Sequence, residues 1–212
     1  MSIGSAVRTR LGRFETPAAE AYRALFINLD DLADTVARLI PRATRVLEIG
    51  CGDGAVADRI CRVYRDVEYV GIDVSPNPGR RYTGDRVRAT FRSMTSSQLR
   101  ASAPAPFDLV LIVDVLHHVP AEPDRVRIVA DAAAMITPGG TVLVKEWERS
   151  RQLSYLLGAT CDRFVSGDRA ARFMNRDQLT ALIAAGAPDL AVVHNASVRP
   201  WRCNALTLLQ AR

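Results

Sequence analysis

The chain has 212 residues, of which 48% are hydrophobic and 24% charged, the composition of a globular protein that can bury one sizeable core. No apolar run is long enough to cross a membrane and no secretory signal core stands near the start, so we expect a cytoplasmic protein with no membrane partner. Four cysteines without a C-x-x-C pair argue against a disulfide framework or a zinc site. The net charge of +5 permits nucleic-acid binding, but the arginines are spread along the chain.

Helices are predicted before the first strand. Residues 1–15 show little apolar periodicity and are expected to form an arm, and Thr16-Pro17 is a typical helix start. Apolar residues then recur at helical spacing in two patterns that end at Pro41. We therefore assign residues 1–40 to an N-terminal arm with cap helices and residues 41–212 to the main domain.

The segment VLEIGCGDG (residues 46–54) predicts a short buried strand followed by a glycine-rich loop, and the next residues begin a helix. In this arrangement backbone can approach a nucleotide-like ligand without interference from a Cβ atom. Read as Gly50-x-Gly52-x-x-Ala55, the loop also fits the dinucleotide fingerprint, so the glycines alone do not decide the ligand. Glu48 does, because a carboxylate at the mouth disfavours phosphate and suits an ammonium or sulfonium cation.

A second strand is predicted to end at Asp73. An acid one βαβ unit after the glycine loop can accept hydrogen bonds from ribose hydroxyls. A third strand is predicted near residues 87–92, and residues 101–106 read as a connector rich in proline and alanine.

The apolar run at residues 107–113 is typical of a central parallel strand buried on both faces, and it leads into Asp114-Val115-Leu116-His117-His118-Val119. Both histidines are candidate general bases because their intrinsic pKa lies near neutrality. In an extended segment they would face opposite ways. No third ligand of fitting spacing accompanies them, so no metal site is predicted.

The remaining elements follow in order. A helix at about residues 123–136, a turn at 137–140 and a strand at 141–147 precede a region, about 148–175, that breaks the βα rhythm and carries a predicted helix at 149–164. A helix at 176–185 capped by Asn175 and a strand pair at 190–198 and 204–209 then end the chain.

Four of these segments together resemble the class I S-adenosylmethionine-dependent methyltransferases over about residues 40–147. They are the acidic-x-Gly-x-Gly-x-Gly loop, the strand ending at Asp73, the segment at 114–119, and Pro138-Gly139-Gly140 before the strand ending at Glu146. The resemblance implies an α/β, Rossmann-like, doubly wound fold: a mostly parallel seven-stranded sheet with helices on both faces and a helical cap. It also implies S-adenosyl-L-methionine as cofactor, S-adenosyl-L-homocysteine as product, and an acceptor-side insertion at about 148–175.

Site residues follow from the same resemblance. The cofactor-binding residues it implies are Glu48, Gly50, Cys51, Gly52, Gly54, Asp73, Val74, Ser93, Met94, Asp114 and Val115. Ser93 and Met94 stand where many family members hold adenine with an aspartate. His117 and His118 are the candidate catalytic residues. Candidate substrate-binding residues are Tyr22, Phe26, His118, Glu146, Trp147 and Tyr155.

The function expected is methyl transfer to a small-molecule acceptor in secondary metabolism, by a monomer or homodimer without a nucleic-acid partner. Two alternatives stay open. An RNA methyltransferase would use the arginines between residues 80 and 92 for phosphates, although no aromatic-rich base platform accompanies them. A protein that binds S-adenosylmethionine without turnover would keep the same fold.

Overall fold

The computed structural model describes residues 27–149, 171–200 and 204–211. Its elements in chain order are α1 (Leu29–Leu39), β1 (Arg45–Ile49), α2 (Ala55–Val63), β2 (Glu68–Asp73), β3 (Ala89–Ser93), α3 (Ser96–Ala101), β4 (Phe107–Val113), a 3₁₀ turn (Leu116–His118), α4 (Glu122–Ala134), β5 (Ile136–Trp147), α5 (Arg176–Gly186), β6 (Leu190–Ser197) and β7 (Asn204–Ala211).

The strands form one seven-stranded sheet in the order β3-β2-β1-β4-β5-β7-β6. Strands β1 to β5 run parallel to their neighbours, whereas β7 pairs antiparallel with both β5 and β6. The chain leaves β1 toward β2 and β3 and later returns to the other side of β1 as β4. This reversal is the topological switch point at which open α/β sheets bind ligands, and the predicted doubly wound, mostly parallel sheet is confirmed.

Helices cover both faces of the sheet, each over its own apolar core. Helices α1 and α2 pack on one face, where the buried strand residues include Val46, Tyr69, Leu109, Leu111 and Leu143. Helices α3, α4 and α5 contribute to the core of the other face, whose strand residues include Leu47, Ile49, Val110, Ile112 and Val144. Because β1 and β4 bury alternate residues on both faces, they read in sequence as continuous apolar runs.

Helix α1 belongs to this core. Its buried residues Leu32 and Val36 are 1% and 0% exposed and lie in the same apolar cluster as α2 and the sheet. An ion pair between Asp31 and Arg199 also ties the start of α1 to the segment after β6. The second helical pattern predicted for the N-terminal region therefore supports the sheet. The first pattern, with Tyr22 and Phe26, and the predicted helix at 149–164, with Tyr155, lie outside the described residues.

Three local predictions were wrong. Strand β3 begins at Ala89, because Val87 is 91% exposed and precedes the pairing with β2. Helix α3 was missed: it spans six residues, too few to show helical periodicity, although Thr95 and Gln98 form a capping box at its start. The expected turn at 137–140 belongs to β5. Ile136 already pairs with Phe107, and the register shift before the next pair marks a bulge.

The predicted ends of α5 are confirmed to within one residue. Asn175 accepts a hydrogen bond from the Gln178 backbone N–H at 2.9 Å, and the Gln178 side chain accepts one from the Asn175 N–H at 3.0 Å. This capping box satisfies two donors that the first turn of the helix would otherwise leave free.

Removal of this cap tests whether α5 depends on it. We expect Asn175→Ala to lower the free energy of unfolding by about 1 kcal/mol, measured by urea denaturation with circular dichroism. Asn175→Ser is the matched control, because serine is an equally good N-cap and should stay close to the wild-type value. Equal losses in both variants would show that the side-chain cap is not what holds the helix start.

Candidate functional site

A cleft of about 670 Å³ opens at the carboxyl ends of the parallel strands, a volume in the range of small-molecule sites. Its walls come from the ends of β1, β2 and β4, the start of α3 and the first turns of α4. The residues that line it are Ile49, Gly50, Ile72, Asp73, Val74, Met94, Thr95, Ser96, Ser97, Asp114, Val115, His118, Val119, Asp124, Arg127 and Ile128. The predicted cofactor residues Gly50, Asp73, Val74, Met94, Asp114 and Val115 are thus brought together.

The glycine loop after β1 needs glycine for two different reasons. Gly50, Gly52 and Gly54 all have positive φ angles, of 78°, 50° and 91°, a region that disfavours other residues. A Cβ atom on Gly50 would lie 2.4 Å from Val115 Cγ2, so this glycine allows the loops after β1 and β4 to pack together. A Cβ atom on Gly52 would meet nothing within 4 Å. Gly52 therefore leaves open space above the loop.

Asp73 holds the loops that surround it. Its carboxylate accepts hydrogen bonds from the backbone N–H of Gly52 at 2.9 Å and of Ser75 at 2.7 Å. A carboxylate has about four acceptor positions, so others remain for a ligand. Asp73 can therefore fix the shape of the loops and also accept from a ribose hydroxyl.

The end of the cleft next to β3 contains polar residues that were not predicted. Thr95, Ser96 and Ser97 line the cleft, and the buried Asp131 of α4 accepts hydrogen bonds from the hydroxyls of Ser96 at 2.8 Å and Ser97 at 2.7 Å. The predicted contact Ser93 is not among the described lining residues. Its hydroxyl donates to the Ser75 carbonyl at 2.8 Å.

Glu48 is 2% exposed and lies below the glycine loop, outside the described lining of the cleft. Burial raises the pKa of this carboxyl to about 7, and the nearby charges of Asp73 and Asp53 act in the same direction. The Tyr69 hydroxyl donates a hydrogen bond to Glu48 Oε2. Burial also raises the pKa of Tyr69 well above its ordinary value, so this hydroxyl keeps its proton. The role of Glu48 toward a cation stays a prediction.

The segment after β4 is a 3₁₀ turn, Leu116–His118, and is not extended. The turn places the two imidazole rings side by side, with their centroids 4.0 Å apart. His118 is exposed and lines the cleft. His117 is 3% exposed and stacks on Phe173, with centroids 4.8 Å apart and planes at 17°.

Glu146, at the end of β5, holds this turn in place. Its Oε1 accepts hydrogen bonds from the backbone N–H of Val115 at 2.9 Å and of Leu116 at 2.6 Å, and its Oε2 lies 2.7 Å from His117 Nδ1. Burial alone would raise the pKa of Glu146, but His117, the Leu116 N–H and Lys145 together hold it below its ordinary value. An ionised carboxylate only accepts, so Nδ1 of His117 carries the proton that points toward Glu146.

Lys145, the neighbour of Glu146 on β5, holds the first residue after β4. It is 0% exposed, and its Nζ lies 2.7 and 2.6 Å from the two carboxylate oxygens of Asp114. Asp114 has a φ of 55°, a conformation that aspartate tolerates better than most residues. Two consecutive residues of β5 thus fix four consecutive residues of the segment after β4. Sequence reasoning missed Lys145, although it is the only lysine in the chain.

Three possible metal ligands lie together, contrary to the expectation that the histidines have no third ligand nearby. Donor atoms of Asp114, His117 and Glu146 all lie within 4.8 Å of one another. These donors are already engaged, since Lys145 binds both oxygens of Asp114 and Glu146 binds two N–H groups and the imidazole. The arrangement fits an ion-pair and hydrogen-bond network better than a metal centre.

Several other predicted site residues do not line the described cleft. Cys51 and Trp147 are buried, at 5% and 6% exposure, and Glu146 is fully used by the 3₁₀ turn. Burial also raises the pKa of the Cys51 thiol, which makes it a poor nucleophile. Tyr22, Phe26 and Tyr155 lie outside the described residues, so a role for them in an acceptor pocket stays a prediction.

Part of the chain is similar to known methyltransferases. Residues 47–142 match the Methyltransferase domain family. The chain is 31% identical over 128 residues to the ubiquinone biosynthesis O-methyltransferase of Xanthomonas campestris pv. campestris (strain B100), covering 58% of this chain and 50% of that protein. It is 28% identical over 162 residues to the enzyme of the same description from Aliivibrio fischeri (strain MJ11). That match covers 74% of this chain and 58% of that protein. The chain thus spans 50% to 58% of the length of these curated relatives.

Solved structures share the fold. TnmH superposes with a TM-score of 0.70 at 24% identity, covering 98% of this chain and 60% of that chain. CalO1 is a methyltransferase of calicheamicin biosynthesis, solved in an S-adenosylhomocysteine-bound form. It superposes with a TM-score of 0.69 at 16% identity, covering 99% of this chain and 59% of that chain. Among the described helices, none is both long and apolar enough to cross a membrane.

The buried Glu48 predicts how stability depends on pH. The folded chain keeps the Glu48 proton up to about pH 7, whereas the unfolded chain releases it near 4.5. Folding therefore binds a proton between these values, and this contribution to stability falls as the pH rises through that window. Above pH 7 the loss is complete and constant. With each pKa unit corresponding to about 1.4 kcal/mol, the full loss is about 3 kcal/mol.

We expect Glu48→Gln, which resembles the protonated side chain, to remove this loss. The variant should be more stable than the wild type at pH 8, and the difference should shrink as the pH falls toward 4.5. Urea denaturation at a series of pH values measures both. Tyr69→Phe is a second variant, because it removes the donated hydrogen bond but leaves the titrating group. A pH-independent difference between wild type and Glu48→Gln would mean that the carboxyl does not titrate in this window.

Proposed function

We propose that the chain is a class I S-adenosylmethionine-dependent methyltransferase and that it transfers a methyl group from S-adenosylmethionine to a hydroxyl group of a small molecule. One juxtaposition carries the proposal. The open space above Gly52, the carboxylate of Asp73 and the buried His117–Glu146 pair all lie at the carboxyl ends of four adjacent strands, β2, β1, β4 and β5. Cofactor recognition is thus available in the cleft, and His117, the candidate general base, lies directly behind its described wall.

The order of the strands gives the proposed course of the cofactor. Asp73, at the end of β2, accepts from the ribose hydroxyls, and Val74, Met94 and the polar residues at the start of α3 surround the adenine. The rest of the cofactor then crosses the glycine loop toward the end of β4, where Asp114 and Val115 line the cleft. Strands in a sheet are about 4.8 Å apart, so β2 and β4 are separated by about 10 Å, a span suited to a nucleoside with a short chain.

The chemistry required of the protein is limited. The cofactor supplies a methyl carbon that is already electrophilic, so positioning of the acceptor provides most of the catalysis. A hydroxyl acceptor must also lose its proton. We assign that proton to His117, because Glu146 orients its ring through Nδ1 and stabilises the imidazolium that forms, as in other carboxylate–histidine pairs. His117 lies behind the described wall of the cleft and is 3% exposed. His118 forms part of the cleft wall.

The acceptor class rests on the relatives. Curated relatives are O-methyltransferases of ubiquinone biosynthesis. The structural neighbours include CalO1, the mitomycin 7-O-methyltransferase MmcR and the pyocyanin biosynthetic protein PhzM. These names favour a small hydroxylated, ring-containing acceptor of secondary metabolism. Tyr22, Phe26 and Tyr155 stay the predicted pocket residues, on an N-terminal cap and an insertion at about 148–175.

The two alternatives are less well supported. Arginines proposed for RNA phosphates are engaged within the protein: Arg81 with Asp53 at 3.8 Å, and Arg86 with the Gly79 carbonyl at 2.7 Å. A binding protein without turnover would use the buried His117–Glu146 pair only to hold the 3₁₀ turn, and measurement of turnover separates it from an enzyme. A monomer or homodimer in the cytoplasm stays the prediction.

The proposal is tested in two steps. Isothermal titration with S-adenosylmethionine and S-adenosylhomocysteine measures binding, and S-adenosylhomocysteine release is then followed against a panel of phenols and hydroxyquinones. Binding with turnover of at least one acceptor supports the proposal. Binding without turnover across a broad panel would favour a binding protein, a salt-sensitive shift of RNA would favour the RNA alternative, and no binding would contradict the assignment of the cleft.

Gly52→Val tests the assignment of the glycine loop. We expect at least about a hundredfold loss of S-adenosylmethionine affinity, because the branched side chain would fill the open space above the loop. Gly139→Val is the matched control. Gly139 also has a positive φ, of 82°, and open space around its Cβ position, but it lies in the bulge at the start of β5, away from the cleft. Both substitutions place valine at a positive φ. Equal losses of affinity in calorimetry would therefore contradict the assignment of the glycine loop to the cofactor.

Substitution of the histidines identifies the base. We expect His117→Asn to lower kcat by about 10²–10⁴-fold at neutral pH, with part of the rate recovered at higher pH as the acceptor ionises. Glu146→Gln should also lower kcat, because an amide has one acceptor oxygen: with that oxygen on the Val115 and Leu116 N–H groups, its NH2 group faces His117 Nδ1 and favours the tautomer with the proton on Nε2. His118→Asn should mainly change KM. A large loss of kcat in His118→Asn, with His117→Asn near wild type, would reverse the two roles. Initial rates over pH 6–9 provide the measurement.

A further inference from the structure

The ion pair between Lys145 and Asp114 has no use in binding or proton transfer as described so far. Lys145 is fully buried behind the cleft, and Asp114 is 30% exposed at its side chain and lines the cleft. The Lys145 ammonium also lies 5.7 Å from the centroid of the Trp147 ring, a favourable position for a buried cation.

The backbone near Asp114 is also held by hydrogen bonds that do not involve this ion pair. The Asp114 N–H donates to the Lys145 carbonyl at 2.8 Å, and the next two N–H groups donate to Glu146. Three hydrogen bonds thus fix the segment after β4 without the Lys145 side chain. The ammonium adds a tie to the Asp114 side chain, and it also changes the charge of the cleft.

Three carboxylates are found among the described residues that line the cleft, and each is balanced differently. Asp124 pairs with Arg127 at 3.0 Å on the same helix. Asp73 accepts from backbone N–H groups. Asp114 alone is paired with a buried cation, the Lys145 ammonium. This ammonium lies behind the wall of the cleft, where a ligand cannot reach it.

This balance matters because the proposed reaction moves the positive charge from the sulfur to the base. The acceptor oxygen forms a bond to the methyl carbon, the carbon–sulfur bond breaks, and its electron pair stays on sulfur. The sulfonium cation thus becomes a neutral thioether, and the acceptor proton passes to the base. An uncompensated carboxylate near the sulfur would bind the charged reactant more tightly than the transition state or the neutral product, which slows the reaction.

We propose that Lys145 is the internal counter-ion that neutralises Asp114, and that it thereby sets the relative affinity of the site for S-adenosylmethionine and S-adenosylhomocysteine. Lys145 acts through Asp114 and does not touch the ligand. The inference rests on the proposed function, since it requires the sulfur to lie toward the end of β4.

The two ligands differ only by one methyl group and one charge, so their affinity ratio separates charge from structure. A variant that merely loosens the site should weaken both ligands together. We expect Lys145→Met to shift the Kd ratio at least about tenfold in favour of S-adenosylmethionine at pH 8, since Asp114 is then uncompensated. Asp114→Asn should shift the ratio in the opposite direction, because the ammonium is left alone beside the cleft.

The double variant Lys145→Met/Asp114→Asn provides the matched control. It removes both charges, so its Kd ratio should return to within about threefold of wild type even if both affinities fall. Lys145→Gln replaces Lys145→Met if circular dichroism shows that the methionine variant does not fold. Two folded variants that differ by one charge are enough for the test, because the Kd ratio of the two ligands should differ between them.

Isothermal titration with the two ligands gives the ratios. A ratio that stays constant across the variants while both affinities fall would overturn the inference and leave the pair as a structural link between β4 and β5. Failure of the wild type to bind either ligand is a different result, because it would contradict the proposed function itself.

Discussion

The position of β1 between β2 and β4 is the constraint on which the site depends. It brings the glycine loop, Asp73 and the segment after β4 to one edge of the sheet. The contact of Gly50 with Val115 shows how tightly this is built, because a single Cβ atom at residue 50 would lie 2.4 Å from the valine side chain. The cleft is therefore shaped by loops that hold one another, with Asp73 accepting from the Gly52 N–H as a further tie.

Strand β5 supplies the second level of organisation. Its last residues alternate in direction, so that Glu146 holds His117 and the 3₁₀ turn while Lys145 holds Asp114. Buried charges are costly unless they are paired and hydrogen-bonded, and these two side chains have partners at 2.6 to 2.9 Å. Two charged residues at the end of one strand thus determine the geometry and the charge of the wall opposite the glycine loop.

Much of this could be predicted from the sequence. The fold followed from the glycine loop and from strands whose apolar runs are long enough to identify, and six cofactor residues predicted by resemblance line one cleft. What could not be predicted depends on contacts between distant segments. The pairing of Asp131 with Ser96 and Ser97, and of Lys145 with Asp114, joins residues about 30 positions apart, and no local pattern in the sequence marks such pairs. Similarly, the bulge before Thr141 has the same Pro-Gly-Gly composition as a turn.

The central claim is that S-adenosylmethionine binds across the ends of β2, β1 and β4. A crystal structure of the chain with S-adenosylhomocysteine tests it most directly. The account predicts ribose hydroxyls within hydrogen-bond distance of the Asp73 carboxylate, adenine between Val74 and Met94, and the sulfur atom on the side of Asp114. An adenosine bound elsewhere, or a cleft that stays without ligand at saturating concentration, would contradict it.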